Sequence, residues 1–115
     1  MKLRLLNKEI ELTEIRYKYL YSYLLRFCLK NNIYKEWNGE IITIPMNLES
    51  EFRRLIEIAL LDLLESCYKE PSLKEIMKYP NRFEKITIKN ELYIINYRTD
   101  MVGIIAFGLY HIYRI

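Results

Sequence analysis

The sequence contains no glutamine, one valine and one histidine, and it has only two cysteines, three glycines and three prolines. Because His111 is the only histidine, a serine or cysteine nucleophile has a single base to pair with, and no residue at a characteristic spacing accompanies it. Gly39, Gly103 and Gly108 are isolated from one another, so the chain has no glycine-rich loop for binding phosphate. These absences argue against the commonest nucleophilic and nucleotide-binding sites.

The two cysteines, Cys28 and Cys67, stand singly on predicted helices, without a CxxC pair or a cluster with histidine. We therefore expect two buried free thiols, no metal site and no cofactor. The most apolar segment near the end of the chain, Met101 to Tyr113, is shorter than the roughly 20 residues that a membrane-spanning helix needs. The first residues carry charges and lack the apolar core of a signal peptide. We expect a cytoplasmic protein without a membrane segment.

Isoleucine, leucine, lysine, glutamate and tyrosine are abundant, and the composition is 51% hydrophobic and 29% charged. This balance is typical of a soluble globular protein, and 115 residues match a single domain over 1–115. The net charge of +3 does not by itself indicate nucleic-acid binding. Abundant lysine and glutamate without glutamine are typical of life at high temperature, and abundant lysine and tyrosine also follow from AT-rich coding. A thermophilic archaeal or viral source, or an AT-rich genome, is therefore expected.

The longest uninterrupted helical pattern runs from Leu48 to Lys69 and contains neither glycine nor proline. Its main apolar stripe is supplemented by Ile58 and Leu61, which carry apolar surface to the side where a surface helix is usually polar. A small domain cannot easily enclose a helix on all sides. We therefore predict that Ile58 and Leu61 form the contact of a homo-oligomer, in the form of a symmetric dimer.

The remaining elements mix hairpins and helices without the alternation of strand and helix that builds a parallel sheet. Turn and capping residues bound them. The predicted elements are strands Lys2 to Leu6 and Glu9 to Leu12, a helix from Glu14 to Lys30, strands Ile33 to Trp37 and Glu40 to Ile44, a short helix opened by Ser72, strands Phe83 to Lys89 and Leu92 to Arg98, and a strand Val102 to Phe107. The predicted fold is α+β, with hairpins and a C-terminal antiparallel β-meander packed on two long helices and one short helix.

The strands Phe83 to Lys89 and Leu92 to Arg98 form a predicted C-terminal hairpin. The pattern of alternating residues places its turn at Asn90-Glu91. Side chains alternate between the two faces of a strand, so this turn sorts the residues of both strands into two sets. The predicted core set is Ile86, Ile88, Leu92 and Ile94. The predicted exposed set is Lys85, Thr87 and Lys89.

Five residues of the first long helix share one face because they recur at intervals of three and four. They are Arg16, Tyr19, Tyr23, Arg26 and Lys30. Cations interleaved with tyrosines suit a nucleic-acid backbone, because the cations neutralise phosphates and the rings stack on bases. Tyrosine and arginine are also favoured anchors of protein interfaces. A solvated face whose long side chains cover apolar surface fits the spacing as well, so all three interpretations stay open.

The C-terminal third reads NRFEKITIKNELYIINYRTDMVGIIAFGLYHIYR from Asn81. A basic strand, a strand containing Tyr-Arg, an apolar strand ending in glycine and a basic tail with tyrosine follow one another. This succession resembles the end of RelE/ParE-type toxins, and the resemblance extends over Glu40 to Arg114. It implies cleavage of messenger RNA, in which Lys85 with Arg98 or Arg114 holds the phosphate and Tyr113 transfers a proton.

The chain also departs from the pattern of that family. Ile94 stands where the central strand of the family carries an arginine, and Leu109 and Tyr110 follow Gly108 where cations are expected. Most of the catalytic cations are therefore missing, and a chain that lacks them can keep the fold and lose the chemistry.

Three functions follow from these observations. The first is a non-enzymatic interaction module that forms homo-oligomers, as an accessory protein of an archaeal virus or mobile element would. The second is a nucleic-acid-binding domain that uses the basic and aromatic face of the first long helix. The third is an active or degenerate RelE-like ribonuclease.

Overall fold

A computed structural model of the chain describes residues 1–33 and 41–114. The chain divides into two compact units, Met1–Ile56 and Glu57–Ile115, and the boundary between them falls inside a helix. Helices and strands occur in both units, so the protein is of the mixed α+β class, as predicted. The prediction of one domain over 1–115 stays a prediction.

The first unit contains a three-stranded sheet in the order β2-β1-β3. Strands β1 (Lys2–Leu5) and β2 (Lys8–Glu11) form the predicted first hairpin, and β3 (Ile41–Thr43) runs parallel to β1. The central pair, Leu3 and Ile42, is buried. The predicted partner of β3, the strand Ile33 to Trp37, and its Asn38-Gly39 turn lie outside the described residues except for Ile33.

Helix α1 spans Glu14–Lys30 and has the bounds that the sequence predicts. Four of its residues are buried, namely Leu20, Leu24, Phe27 and Cys28. At its end, Asn32 adopts a φ of 59° and the Ile33 N–H donates to the Cys28 carbonyl oxygen at 2.8 Å. This arrangement terminates a helix because the left-handed residue turns the chain back onto the last carbonyl groups.

Helix α2 spans Glu49–Cys67 and follows a single 3₁₀ turn, Met46–Leu48. Its buried stripe consists of Phe52, Ile56, Ala59, Leu60, Leu63 and Leu64. Within the first unit, the Phe27 and Phe52 rings meet edge to face with centroids 5.8 Å apart. The predicted long helix is therefore confirmed, one residue shorter at its start and two at its end.

The second unit contains the remaining elements. Helix α3 (Leu73–Lys78) is capped by Ser72, whose Oγ accepts from the Glu75 N–H at 3.1 Å. A 3₁₀ turn leads into the hairpin of β4 (Phe83–Ile88) and β5 (Glu91–Asn96), and helix α4 (Met101–Tyr113) follows. The hairpin packs against α4, and Lys89 pairs with Glu57 of α2 at 3.3 Å. The predicted antiparallel pairing of the two strands of the C-terminal hairpin is confirmed, since β4 and β5 pair in this way.

The predicted strand Val102 to Phe107 is wrong, because this segment belongs to α4. Asp100 caps the helix by accepting from the Gly103 N–H at 3.2 Å. Ile105, Ala106, Leu109 and Ile112 are buried at helical spacing. A run that is apolar at nearly every position shows neither period clearly, so the pattern alone does not distinguish strand from helix.

The predicted turn of the C-terminal hairpin is also displaced by one residue. Lys89 and Asn90 occupy the turn with φ of 48° and 68°, the geometry of a two-residue type I′ turn. Leu92 therefore lies across from Thr87 and Ile94 across from Lys85. A shift of one residue moves every side chain of a strand to the other face.

The predicted core of this hairpin is accordingly only half right. Ile86 and Ile88 are buried as predicted, whereas Leu92 is 58% exposed and Ile94 is half-buried. Ile95 takes the buried position on β5.

Candidate interaction surfaces

The predicted basic and aromatic face of α1 is presented unevenly to solvent. Arg16, Tyr19 and Tyr23 are half-buried, and the two tyrosine rings lie 6.0 Å apart. Arg26 and Lys30 are exposed, and Lys30 forms an ion pair with Glu51 at 3.4 Å. The positive charge that this face offers to a partner is therefore concentrated in the second half of the helix.

A second surface of α1, on the other side of its buried stripe, escaped the sequence analysis. Four residues at intervals of four form it, and we call it the tyrosine–leucine ridge: Tyr17, Tyr21, Leu25 and Leu29. Tyr21 is 48% exposed and Leu29 is 54% exposed. The four-residue interval between these apolar and aromatic residues is the signal in the sequence that could have found this surface.

The tyrosine end of this ridge borders a depression. The Tyr17 and Tyr21 rings stack with centroids 5.9 Å apart and an interplanar angle of 27°. Together with Glu14 and Lys18 they line a depression of about 460 Å³. Glu14 and Lys18 form an ion pair at 3.2 Å, so the polar rim of the depression is neutral. Its floor is suited to an apolar side chain.

The predicted oligomer contact on α2 lies in the second unit. Ile58 is 44% exposed and Leu61 is half-buried. An isolated exposed isoleucine is common on protein surfaces. A contact through Ile58 and Leu61 stays a prediction.

Two of the residues that the toxin resemblance implies, Arg98 and Tyr113, lie at opposite ends of one helix, and the alternative set with Arg114 stays a prediction. Arg98 precedes α4, whereas Tyr113 ends it and Arg114 caps it. A helix of this length separates its two ends by roughly 20 Å, far more than one phosphate group spans. Lys85 is exposed in the middle of β4. The structure therefore does not bring Arg98 and Tyr113 together, and the resemblance itself stays an expectation.

Two arginines line a groove in the second unit that the sequence analysis did not predict. It has a volume of about 510 Å³ and is lined by the turn before β4 and the segment after β5. Arg82 lies over the Tyr79 ring at 4.0 Å, and Arg98 lies over the Tyr97 ring at 5.2 Å. Sequence patterns gave no signal for it, because the two arginines are distant in the chain and meet only through strand pairing.

Hydrogen bonding, charge and burial shift the pKa of Glu9, Cys28 and Tyr93. A hydrogen bond from Arg4, reinforced by its charge, lowers the pKa of Glu9. Burial raises the pKa of the Cys28 thiol. Burial, followed by the charge of Glu91, raises the pKa of Tyr93.

Both cysteines are free thiols, and Cys28 is buried, as predicted. Cys67 is exposed, so its predicted burial is wrong, because it lies at the end of α2 beyond the buried stripe. Over residues 1–33 and 41–114, no group of histidine, cysteine, aspartate and glutamate side chains is arranged to hold a metal ion. None of the described helices is long and apolar enough to cross a membrane.

Comparison with known proteins gives no relative: no family model, no curated protein and no solved structure matches the chain.

Proposed function

We propose that the protein is a non-enzymatic interaction module that forms a homodimer through the tyrosine–leucine ridge of α1. The exposure of Tyr21 and Leu29 on one side of the helix carries the proposal. Exposed leucine and tyrosine at regular helical spacing cost solvation free energy unless another surface covers them. A row at intervals of four is also one of the ridges by which helices interdigitate.

The ridge has the self-complementary form that a two-fold dimer requires. Leu29 lies about 12 Å beyond Tyr21 along the helix axis, at about 1.5 Å per residue. If a second α1 packs antiparallel, Leu29 of each copy reaches the depression beside Tyr17 and Tyr21 of the other. Each contact then occurs twice, as a two-fold interface demands. Glu14 and Lys18 neutralise each other, so the rim of the depression places no net charge against the second copy of the protein.

Light scattering coupled to size-exclusion chromatography tests the proposal. The wild-type protein is expected to elute as a dimer at high concentration and to dissociate on dilution. A Tyr21→Glu, Leu29→Glu variant should dimerise at least about 100-fold more weakly, because burial of each apolar side chain contributes about 1.5–3 kcal/mol. Circular dichroism establishes that the variant stays folded.

The matched control is Ile58→Glu, Leu61→Glu, which places the same charges on α2. An unchanged dimer in this control supports the α1 contact. If only the control loses the dimer, the interface lies on α2, as the sequence pattern predicts. A wild-type protein that is monomeric at millimolar concentration refutes both contacts.

Nucleic-acid binding is the second candidate, favoured by the distribution of charge. Helix α1 carries the four cations Arg16, Lys18, Arg26 and Lys30 against the single acidic residue Glu14. Such an excess on one helix is the electrostatic footprint of a surface that binds phosphates. Arg26 is the exposed cation of this face whose substitution disturbs the fold least.

A further inference from the structure

The groove of the second unit is held open by backbone hydrogen bonds between its two walls. The Tyr97 N–H donates to the Arg82 carbonyl oxygen at 3.0 Å, which extends the β4–β5 pairing past the end of both strands. The Arg98 Nε–H donates to the Asn81 carbonyl oxygen, also at 3.0 Å. The groove therefore belongs to the rigid end of the hairpin and does not depend on a loop closing over it.

Arg98 is fixed in orientation by its Nε, which also lies 3.3 Å from the Tyr97 hydroxyl group. The Tyr97 ring is in turn stacked on Phe107 of α4, with centroids 4.6 Å apart. These contacts use the Nε edge of the guanidinium, so the Nη edge is left to donate to a ligand. A guanidinium whose plane is already fixed loses little entropy when it binds a planar or tetrahedral anion.

Arg82 forms the other cationic wall. Its Cζ lies over the Tyr79 ring, 4.0 Å from the ring centre, and Lys78 Nζ is 5.3 Å from the centre of the same ring. In the part of the chain that the structure describes, neither Arg82 nor Arg98 forms an ion pair. Stacking on the ring faces leaves the edges of both guanidinium groups to donate.

The charges around the groove match one kind of ligand. In the lining, Arg82 and Arg98 outweigh the acidic Glu84 by one positive charge. A phosphate monoester carries about −1.5 to −2 near pH 7 and presents three oxygens to donors. A phosphate can accept from two arginines at once, and arginine–phosphate pairs are frequently bidentate. The groove also lies within the range of about 300–1,000 Å³ that small-molecule sites occupy.

From these observations we propose that the groove between Arg82 and Arg98 binds a phosphate monoester group. Arg98 donates through its Nη edge from one wall and Arg82 donates from the other. The group is presented either by a free nucleoside monophosphate or by the phosphorylated end of an oligonucleotide. The site lies in the second unit, and this proposal does not rest on the dimer contact proposed on α1.

Isothermal titration with adenosine monophosphate, with adenosine as the unphosphorylated partner, tests the proposal. The monophosphate is expected to bind and adenosine to show at least tenfold weaker binding. Lowering the pH from about 7.5 to 5.5 should weaken binding, because the second proton of the phosphate binds near pH 6. Short oligonucleotides with and without a 5′-phosphate form the second arm, and a preference for the phosphorylated one identifies a nucleic-acid end as the source.

Arg82→Gln is the decisive variant, because the Arg82 side chain donates no hydrogen bond to the described backbone and its loss leaves the fold intact. It should weaken binding about tenfold or more, since a hydrogen bond to a charged group contributes about 1.5–3 kcal/mol. Arg98→Gln should have at least the same effect. Lys89→Gln removes the same charge from an exposed position in the turn at the other end of the hairpin and should leave the affinity within about twofold.

Three results overturn the proposal. The first is that neither the monophosphate nor the phosphorylated oligonucleotide binds. The second is that adenosine binds as tightly as its monophosphate. The third is that Lys89→Gln weakens binding as much as Arg82→Gln, which would show that only the net charge of the protein matters.

Discussion

The Tyr68 hydroxyl group hydrogen-bonds to both backbone groups of Ile94. It donates to the Ile94 carbonyl oxygen at 3.0 Å and accepts from the Ile94 N–H at 3.1 Å. One side chain from the segment after α2 thereby does what a neighbouring strand usually does along a sheet edge. Strand β5 is an edge of a two-stranded sheet, and this pair of bonds satisfies its backbone groups where the described part of the chain provides no further strand.

Tyr68→Phe should lower the free energy of unfolding by about 1–3 kcal/mol, because it leaves two partly buried backbone groups without a partner. Urea denaturation followed by circular dichroism measures the loss. Tyr93→Phe is the matched control, since the Tyr93 ring meets Tyr68 edge to face at 5.2 Å. The control should stay within about 0.5 kcal/mol of wild type. Equal losses in both variants would show that the two hydrogen bonds between the Tyr68 hydroxyl group and Ile94 contribute no specific stability to this edge.

Gly103→Ala should be strongly destabilising. A Cβ atom at Gly103 would overlap the Asn96 carbonyl oxygen, so α4 approaches β5 too closely for any side chain at this position. The obstacle is backbone, which cannot rotate away, and a cost of about 2 kcal/mol or more is expected. Thermal unfolding measures it. Met101→Ala, in an exposed position of the same helix, should change stability by less than about 0.5 kcal/mol.

Arg4→Ala should raise the pKa of Glu9 toward its ordinary value. In the folded protein the hydrogen bond from Arg4, at 2.8 Å, and then the Arg4 charge lower the pKa of this carboxyl group. The folded form therefore gains stability above the unfolded pKa of about 4.3, and this gain is lost as the pH falls through the lower folded pKa. NMR titration of the Glu9 carboxyl carbon measures the change, and an unaltered midpoint in Arg4→Ala would contradict the assignment.

Arg26→Ala tests the nucleic-acid alternative. If the face of α1 binds phosphates, the variant should weaken binding equally for different sequences and reduce the salt slope by about one unit. Fluorescence anisotropy with labelled single-stranded RNA at about 50 and 200 mM salt measures both quantities. Lys18→Ala removes a cation from the ridge side of α1, where it pairs with Glu14, and serves as the control. Identical behaviour of the two variants would remove the alternative.

Elements with local signals were predictable from the sequence. Helix α1 has its predicted bounds because paired asparagines follow it, and asparagine tolerates the positive φ that Asn32 adopts. Helix α3 begins after Ser72 because the serine hydroxyl group accepts from the Glu75 N–H. A serine followed three residues later by glutamate predicts this bond from the sequence. In both cases the interacting groups lie within one turn, so no distant part of the chain alters the outcome.

The candidate surfaces were less predictable. Spacing alone placed Arg16 and Arg26 on one face of α1, but their different exposure depends on what packs beside the helix. The groove of Arg82 and Arg98 had no sequence signal, because the two residues meet only after β4 and β5 have paired.

By itself, the sequence determined the α+β class, the first three helices and the existence of the C-terminal hairpin. The tertiary structure alone decided that Val102 to Phe107 is helical and that Ile95, not Leu92, enters the core. An apolar run and a strand register each have alternatives of nearly equal local energy. Burial separates these alternatives, since the favoured one is that which places apolar side chains against the rest of the fold.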